Sequence, residues 1–177
     1  MHAVDNSDSL RRPNPVKDLV NILGGKGEYA PALLEVLKEL PNEMDNRFMP
    51  TSHEDREKIS HDLGFQGDDI FPFLEKCLTG LRGNLTVMTE MFLCLASWLK
   101  FGGQFTIRIA ESPLLAAGFA AVESGNDDLM DASREAIIAA IKLSNNRFHP
   151  KLRSALFPRI MKLMPYFQRL MVCEHAH

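Results

Sequence analysis

Residues 85–101 read LTVMTEMFLCLASWLKF, and this stretch decides the fold. Its polar positions are Thr86, Thr89, Glu90, Ser97 and Lys100, scattered among apolar ones. A surface helix carries one apolar stripe, whereas a helix apolar nearly all round must be covered on more than one side. Such a helix belongs at the centre of a bundle or in the interior of a stacked array. Trp98 lies on it, and the spacing favours a core position over an exposed anchor, because an indole buries a large area. Gly102-Gly103 ends the helix.

Working outward, every neighbouring segment is also helical in pattern. Upstream, Ile70, Phe71, Phe73, Leu74, Cys77, Leu78 and Leu81 form an apolar helix after Asp68 and Asp69. Gly67 divides it from a polar helix that reaches about Phe65, opened by Thr51-Ser52-His53-Glu54, which reads as a capping box. A helix from about Tyr29 to Leu40 shows Ala30, Leu33, Leu34, Leu37 and Leu40 on one face, and Pro41 is expected to stop it. Before it, Asn14-Pro15 is a cap followed by proline at the first helical position, and Gly24, Gly25 and Gly27 end that first helix. Downstream, Ser112-Pro113 repeats the cap-plus-proline signal ahead of Leu114 to Val122. Asp127 and Asp128 favour a helix start by complementing the macrodipole. Leu129, Ser133, Ala136, Ile137, Ala140 and Ile141 mark the inner face of that helix. His149-Pro150 opens a last helix to about Cys173, with kinks expected at Pro158 and Pro165.

No stretch alternates with period two long enough to make a sheet. Helix starts near Tyr29, Leu85 and Asp127 are spaced loosely like repeats of roughly 40 to 47 residues with one insertion. The expected fold is all-α, a HEAT-type solenoid of about three helix pairs. Residues 1–13 form a flexible lead-in and residues 14–177 the repeat segment.

Composition excludes several classes of function. The chain has 177 residues, 45% of them hydrophobic, and a formal net charge of −3. That supports a core and gives no overall reason to expect nucleic acid as a partner. The first residues are polar and charged, unlike a signal peptide. The longest apolar run, Met91 to Ala96, is too short to span a bilayer. Cys77, Cys94 and Cys173 are odd in number and not closely paired, which fits a reducing compartment. Asn84-Leu85-Thr86 matches a glycosylation acceptor that has no meaning without secretion.

Four constellations bear on chemistry. His53, Glu57 and His61 stand at i, i+4 and i+8, a spacing that can hold a divalent metal, but Asp55, Arg56, Lys58 and Asp62 flank them and a solvated polar face is the preferred account. Cys173, His175 and His177 are metal-capable types at the extreme end of the chain, where adventitious binding is the limit of the inference. Gly24-Gly25-Lys26-Gly27 lacks the spacing of a phosphate loop and reads as a helix–helix turn. No nucleophile–base pair is marked, so no enzymatic activity, cofactor or metal is expected.

Charge is unevenly distributed. Residues 28–75 hold twelve acids (Glu28, Glu35, Glu39, Glu43, Asp45, Glu54, Asp55, Glu57, Asp62, Asp68, Asp69 and Glu75) against Lys38, Arg47, Arg56 and Lys58, a formal −8. Residues 136–173 hold no acid and carry Lys142, Arg147, Lys151, Arg153, Arg159, Lys162 and Arg169, a formal +7. On the last helix Lys151, Arg159, Lys162 and Arg169 fall near one face, and Leu152, Leu156, Ile160, Leu163, Phe167 and Leu170 on another. Two accounts stay open: stripes that attract oppositely charged partners, or ordinary solvated faces partly complementary to each other. The ends of a repeat array leave apolar surface uncovered unless more chain or a partner covers it, and Met161, Met164 and Met171 would suit such a contact.

Two segments go beyond pattern. Leu33-Leu34-Glu35-Val36-Leu37-Lys38-Glu39-Leu40-Pro41-Asn42-Glu43 resembles the "LLE-hydrophobic-L-x-x-LPEE" segment of the transportin-3 and importin-13 branch of the importin-β family. Cys94-Leu95-Ala96-Ser97-Trp98-Leu99 is similar to the "C-hydrophobic/F-small-S-W-hydrophobic" segment in the following repeat of the same proteins. Order and separation agree, the match covers roughly residues 15–145, and residues 127–143 resemble the next first helix. Asn42 departs from the family pattern, which has an acid there. The resemblance implies a segment of a nuclear transport receptor that carries protein cargo between cytoplasm and nucleus, with cargo and the GTPase Ran bound through the full-length receptor. It implies no direct nucleic-acid contact and no membrane insertion. The chain matches neither the amino-terminal Ran-contacting repeats nor the arginine-rich cargo helix, so no functional residue carries over, and partner-contacting residues stay unassigned. The alternatives are a stand-alone helical scaffold with no transport role, and a metal-dependent helical enzyme using His53, Glu57 and His61.

Overall fold

The computed structural model describes residues 14–46, 51–102 and 104–174. The lead-in 1–13, Arg47, Gly103, His175 and His177 lie outside these, as do the side chains of Asp45, Pro165, Phe167, Arg169, Leu170, Met171 and Cys173. The helices are α1 (Pro15–Leu23), α2 (Ala30–Asp45), α3 (His53–Gln66), α4 (Ile70–Gly80), α5 (Leu85–Phe101), α6 (Pro113–Val122), α7 (Asp127–Ser144) and α8 (Pro150–Glu174). Short 3-10 turns, Gly27–Tyr29 and Gly67–Asp69, lead into α2 and α4, and a longer 3-10 segment, Gln104–Glu111, joins α5 to α6. The described residues contain no strand.

Asparagine and serine side chains start most of these helices. Asn14, Asn84, Ser112 and Asn126 accept the N–H of Lys17, Val87, Leu114 and Leu129, satisfying amides that a helix start leaves without partners. The cap of α3 lies one residue beyond the expected box. Ser52, not Thr51, accepts the Asp55 N–H at 3.1 Å, and its hydroxyl donates to the Asp55 carboxylate at 2.6 Å. Gly102 ends α5 at φ 76°, a backbone region that side chains disfavour.

The helices pair as α1/α2, α4/α5 and α6/α7. The first members pack in one layer, α1 on α4 and α4 on α6, and the second members in another, α2 on α5 and α5 on α7. This is an all-α helical solenoid of three stacked pairs. The helix starts singled out by their spacing belong to α2, α5 and α7, equivalent members of successive pairs, and α3 is the insertion. Residues 127–143, expected to open a new pair, instead form α7, the second member of the third pair, packed closely on α6. Helix α8 follows, against α7 and the 3-10 segment. The α5 helix is buried on several sides because α2, α4 and α7 all pack on it.

Proline 41 does not stop α2, which continues to Asp45. A proline inside a helix supplies no N–H to the carbonyl four residues back, here that of Leu37. The indole N–H of Trp98 on α5 donates to that carbonyl at 2.8 Å. Beside it the Ser97 hydroxyl lies 2.7 Å from the Lys38 carbonyl and 2.9 Å from Asn42 Oδ1. The neighbouring helix therefore replaces what the proline removes, and α2 survives. Helix α8 runs from Pro150 to Glu174 through both Pro158 and Pro165.

Candidate partner-binding surface

The α2/α5/α7 layer carries a concavity. A groove of about 580 Å³ lies between the amino-terminal halves of α5 and α7. Its apolar lining is Leu85, Leu93 and Ala132, with Thr86, Thr89 and Asn126 as uncharged polar groups. Glu90, Asp128, Asp131 and Glu135 supply its charge, and no basic residue lines it. The α7 acids recur at i, i+3 and i+7, which brings them to one helical face. Cations stand around the acids. Lys38 reaches Glu90 at 3.0 Å, Arg134 reaches Asp131 at 3.2 Å, and Lys100 pairs with Glu135. The hydrogen bond to Glu90 raises the Lys38 pKa against the opposing effect of burial. What remains is an open, amphipathic, net acidic trough, suited to a basic extended segment or helix.

The acid-dense stretch 28–75 contributes only in part to this layer. Glu35, Glu39 and Glu43 lie exposed on α2 of the same layer, whereas Glu54, Asp55 and Glu57 lie exposed on the inserted α3. Glu75 turns to the other layer and accepts the Ser112 hydroxyl at 2.6 Å, tying α4 to the cap of α6. Attention to acid density along the chain missed Glu90, Asp128, Asp131 and Glu135. Their signal was helical spacing on α7, legible only once α5 is known to lie beside it.

The proposed metal trio does not converge. His53 Nδ1 stands 3.7 Å from Glu57 Oε1, but His61 turns to Asp62 at 3.9 Å and sets its ring edge-on to Phe65. The described residues contain no group of three or more metal-capable side chains. Gly24-Gly25-Lys26-Gly27 is the α1–α2 turn. A Cβ at Gly24 would stand 2.5 Å from the Val20 carbonyl and 3.1 Å from the Phe73 ring, so close packing explains that glycine. Trp98 is fully buried. Burial pushes the Cys77 thiol up to about 11 and that of Cys94 still higher, so neither is poised as a nucleophile.

At the far end, Lys151 on α8 pairs with Glu111 at 3.0 Å, and Arg153 donates to the Ser144 carbonyl at 3.0 Å, fastening the first turn of α8. Leu152, Leu156 and Leu163 are buried, while Phe157, Met161 and Met164, at i, i+4 and i+7, are exposed. Helix α8 thus has a second apolar face. Among the described residues, no helix is long and apolar enough to cross a membrane.

A family model described as Exportin 1-like protein matches residues 10–137, which takes in α1 to α6 and the first half of α7.

Proposed function

Because the chain belongs to the Exportin 1-like family, we propose that it is a segment of a nuclear transport receptor, carrying protein cargo between cytoplasm and nucleus. Within that family we place it on the transportin-3/importin-13 branch. Support comes from the two motif segments, which meet across the α2/α5 seam through Trp98, Ser97, Leu37 and Lys38. In this reading the protein performs no chemistry. The full-length receptor wraps cargo, and Ran bound elsewhere on it shifts the solenoid's curvature and so its affinity.

The acidic trough between α5 and α7 carries the cargo assignment. A basic segment laid there would bury its apolar side chains on Leu85 and Leu93 and face Asp128, Asp131 and Glu135. The test is anisotropy of a labelled Lys/Arg-rich peptide titrated with the chain at low and at physiological salt. The triple change Asp128→Asn, Asp131→Asn, Glu135→Gln should weaken binding about fivefold, equivalent to about 1 kcal/mol. Neutralising Glu54, Asp55 and Glu57 on α3 should weaken it less. Unchanged affinity of the α7 variant at low salt would refute the assignment.

A further inference from the structure

His149 stands where α7 turns into α8, only 6% exposed. Its backbone is fixed on both sides: its N–H donates to the Asn146 carbonyl at 3.1 Å and its carbonyl accepts from Arg153 at 3.2 Å. The ring points at the 3-10 segment, with Nε2 3.5 Å from the hydroxyl of the fully buried Thr106. Nδ1 is buried with no hydrogen-bond partner. A neutral imidazole can leave a bare lone pair at Nδ1. A protonated one places an N–H there with no protein group to accept it, and a charge on a largely buried ring.

We propose that His149 is a proton-sensitive latch holding the start of α8 against the 3-10 segment, closed when the ring is neutral and loosened when it is protonated. The charged groups on the packed elements do not rescue the cation. Lys142 at the last turn of α7, Arg147 in the turn, Lys151 and Arg153 on α8, and Arg108 on the 3-10 segment are positive, and the acids of α7 (Asp127, Asp128, Asp131 and Glu135) all lie in its amino-terminal half, two or more turns before the turn that carries His149. Glu111, the acid of that segment, is engaged by Lys151. Burial accordingly lowers the His149 pKa below its ordinary value of 6.5. The unfolded chain then takes up the proton first, so the contribution to stability is intact above about pH 6.5 and falls as the pH drops below it. Opening would move the face carrying Phe157, Met161 and Met164, coupling acidity to whatever covers that face.

Hydrogen–deuterium exchange of the full chain at pH 7.5 and 5.5, corrected for intrinsic exchange, tests this. The α8 amides should exchange several-fold faster at the lower pH, because the unfolded chain binds the proton that the packed ring resists, while those of α5 hold. His149→Phe should abolish the difference. Equal protection of wild-type α8 at both pH values overturns the proposal, as does the same acid loosening in His149→Phe. Should that variant fail to fold, an NMR titration of the wild-type ring decides. A midpoint below 6.5 that also moves the Thr106 signals supports the latch, and a midpoint at or above 6.5, or a silent Thr106, ends it.

Discussion

Helices α5 and α3 are close in length and opposite in situation. In α5 ten residues from Val87 to Leu99 are buried, whereas in α3 Leu63 alone is. Each carries an aromatic residue that shows the difference: Trp98 is 0% exposed and Phe65 61%. Neither helix owes this to its own propensity. The α5 helix is a rung of the array with neighbours on several sides, and α3 is an insertion lying against α2 and the 3-10 segments. In a solenoid, stability belongs to the interfaces between repeats, so an inserted helix is free to vary in sequence while a rung is not.

The sharpest way to break this contrast is Trp98→Ala, which should cost about 3–5 kcal/mol, as large-to-small changes of buried aromatics do. Chemical denaturation measures that loss. Thiol labelling at pH 8, read peptide by peptide, gives a second view. The raised Cys77 and Cys94 pKa values keep both thiols inert in the wild type, and both should react quickly in the variant. Next, Trp98→Phe keeps most of the volume but leaves the Leu37 carbonyl without its donor, at a cost of about 1–3 kcal/mol. In a Pro41→Ala background that carbonyl regains an amide partner within α2, so the cost of Trp98→Phe should shrink. Strict additivity in this double-mutant cycle would mean the indole does not stand in for the missing amide. On the third pair, Gly118→Ala should stabilise by about 0.5–1 kcal/mol, since glycine weakens a helix interior. The added methyl would meet Phe92 at 3.5 Å and Ile137 at 3.7 Å, ordinary contact distances. Smallest of all, Phe65→Ser on α3 should shift stability by no more than about 0.5 kcal/mol, as exposed positions do. A loss near that of Trp98→Ala would show α3 to be a rung after all.

Much of this was legible in the chain. The apolar girth of residues 85–101 announced a covered helix, and the starts of α2, α5 and α7 showed the repeat with its insertion. Glycines, N-caps and cap-plus-proline pairs gave most helix boundaries to within a residue or two. The 3-10 segment Gln104–Glu111 went unread, since it lacks the length for a 3.6-residue period to declare itself. The acidic trough was invisible for a different reason, because Glu90 and the α7 acids meet only through packing.

The sequence by itself determined which residues are helical, which faces are apolar and roughly how many pairs there are, because these follow from local periodicity and backbone chemistry. Tertiary structure alone decided the fate of Pro41, the partnerless Nδ1 of His149 and the place where negative charge converges. Each depends on which donor, acceptor or charge a distant helix brings alongside, and spacing along one chain does not encode that.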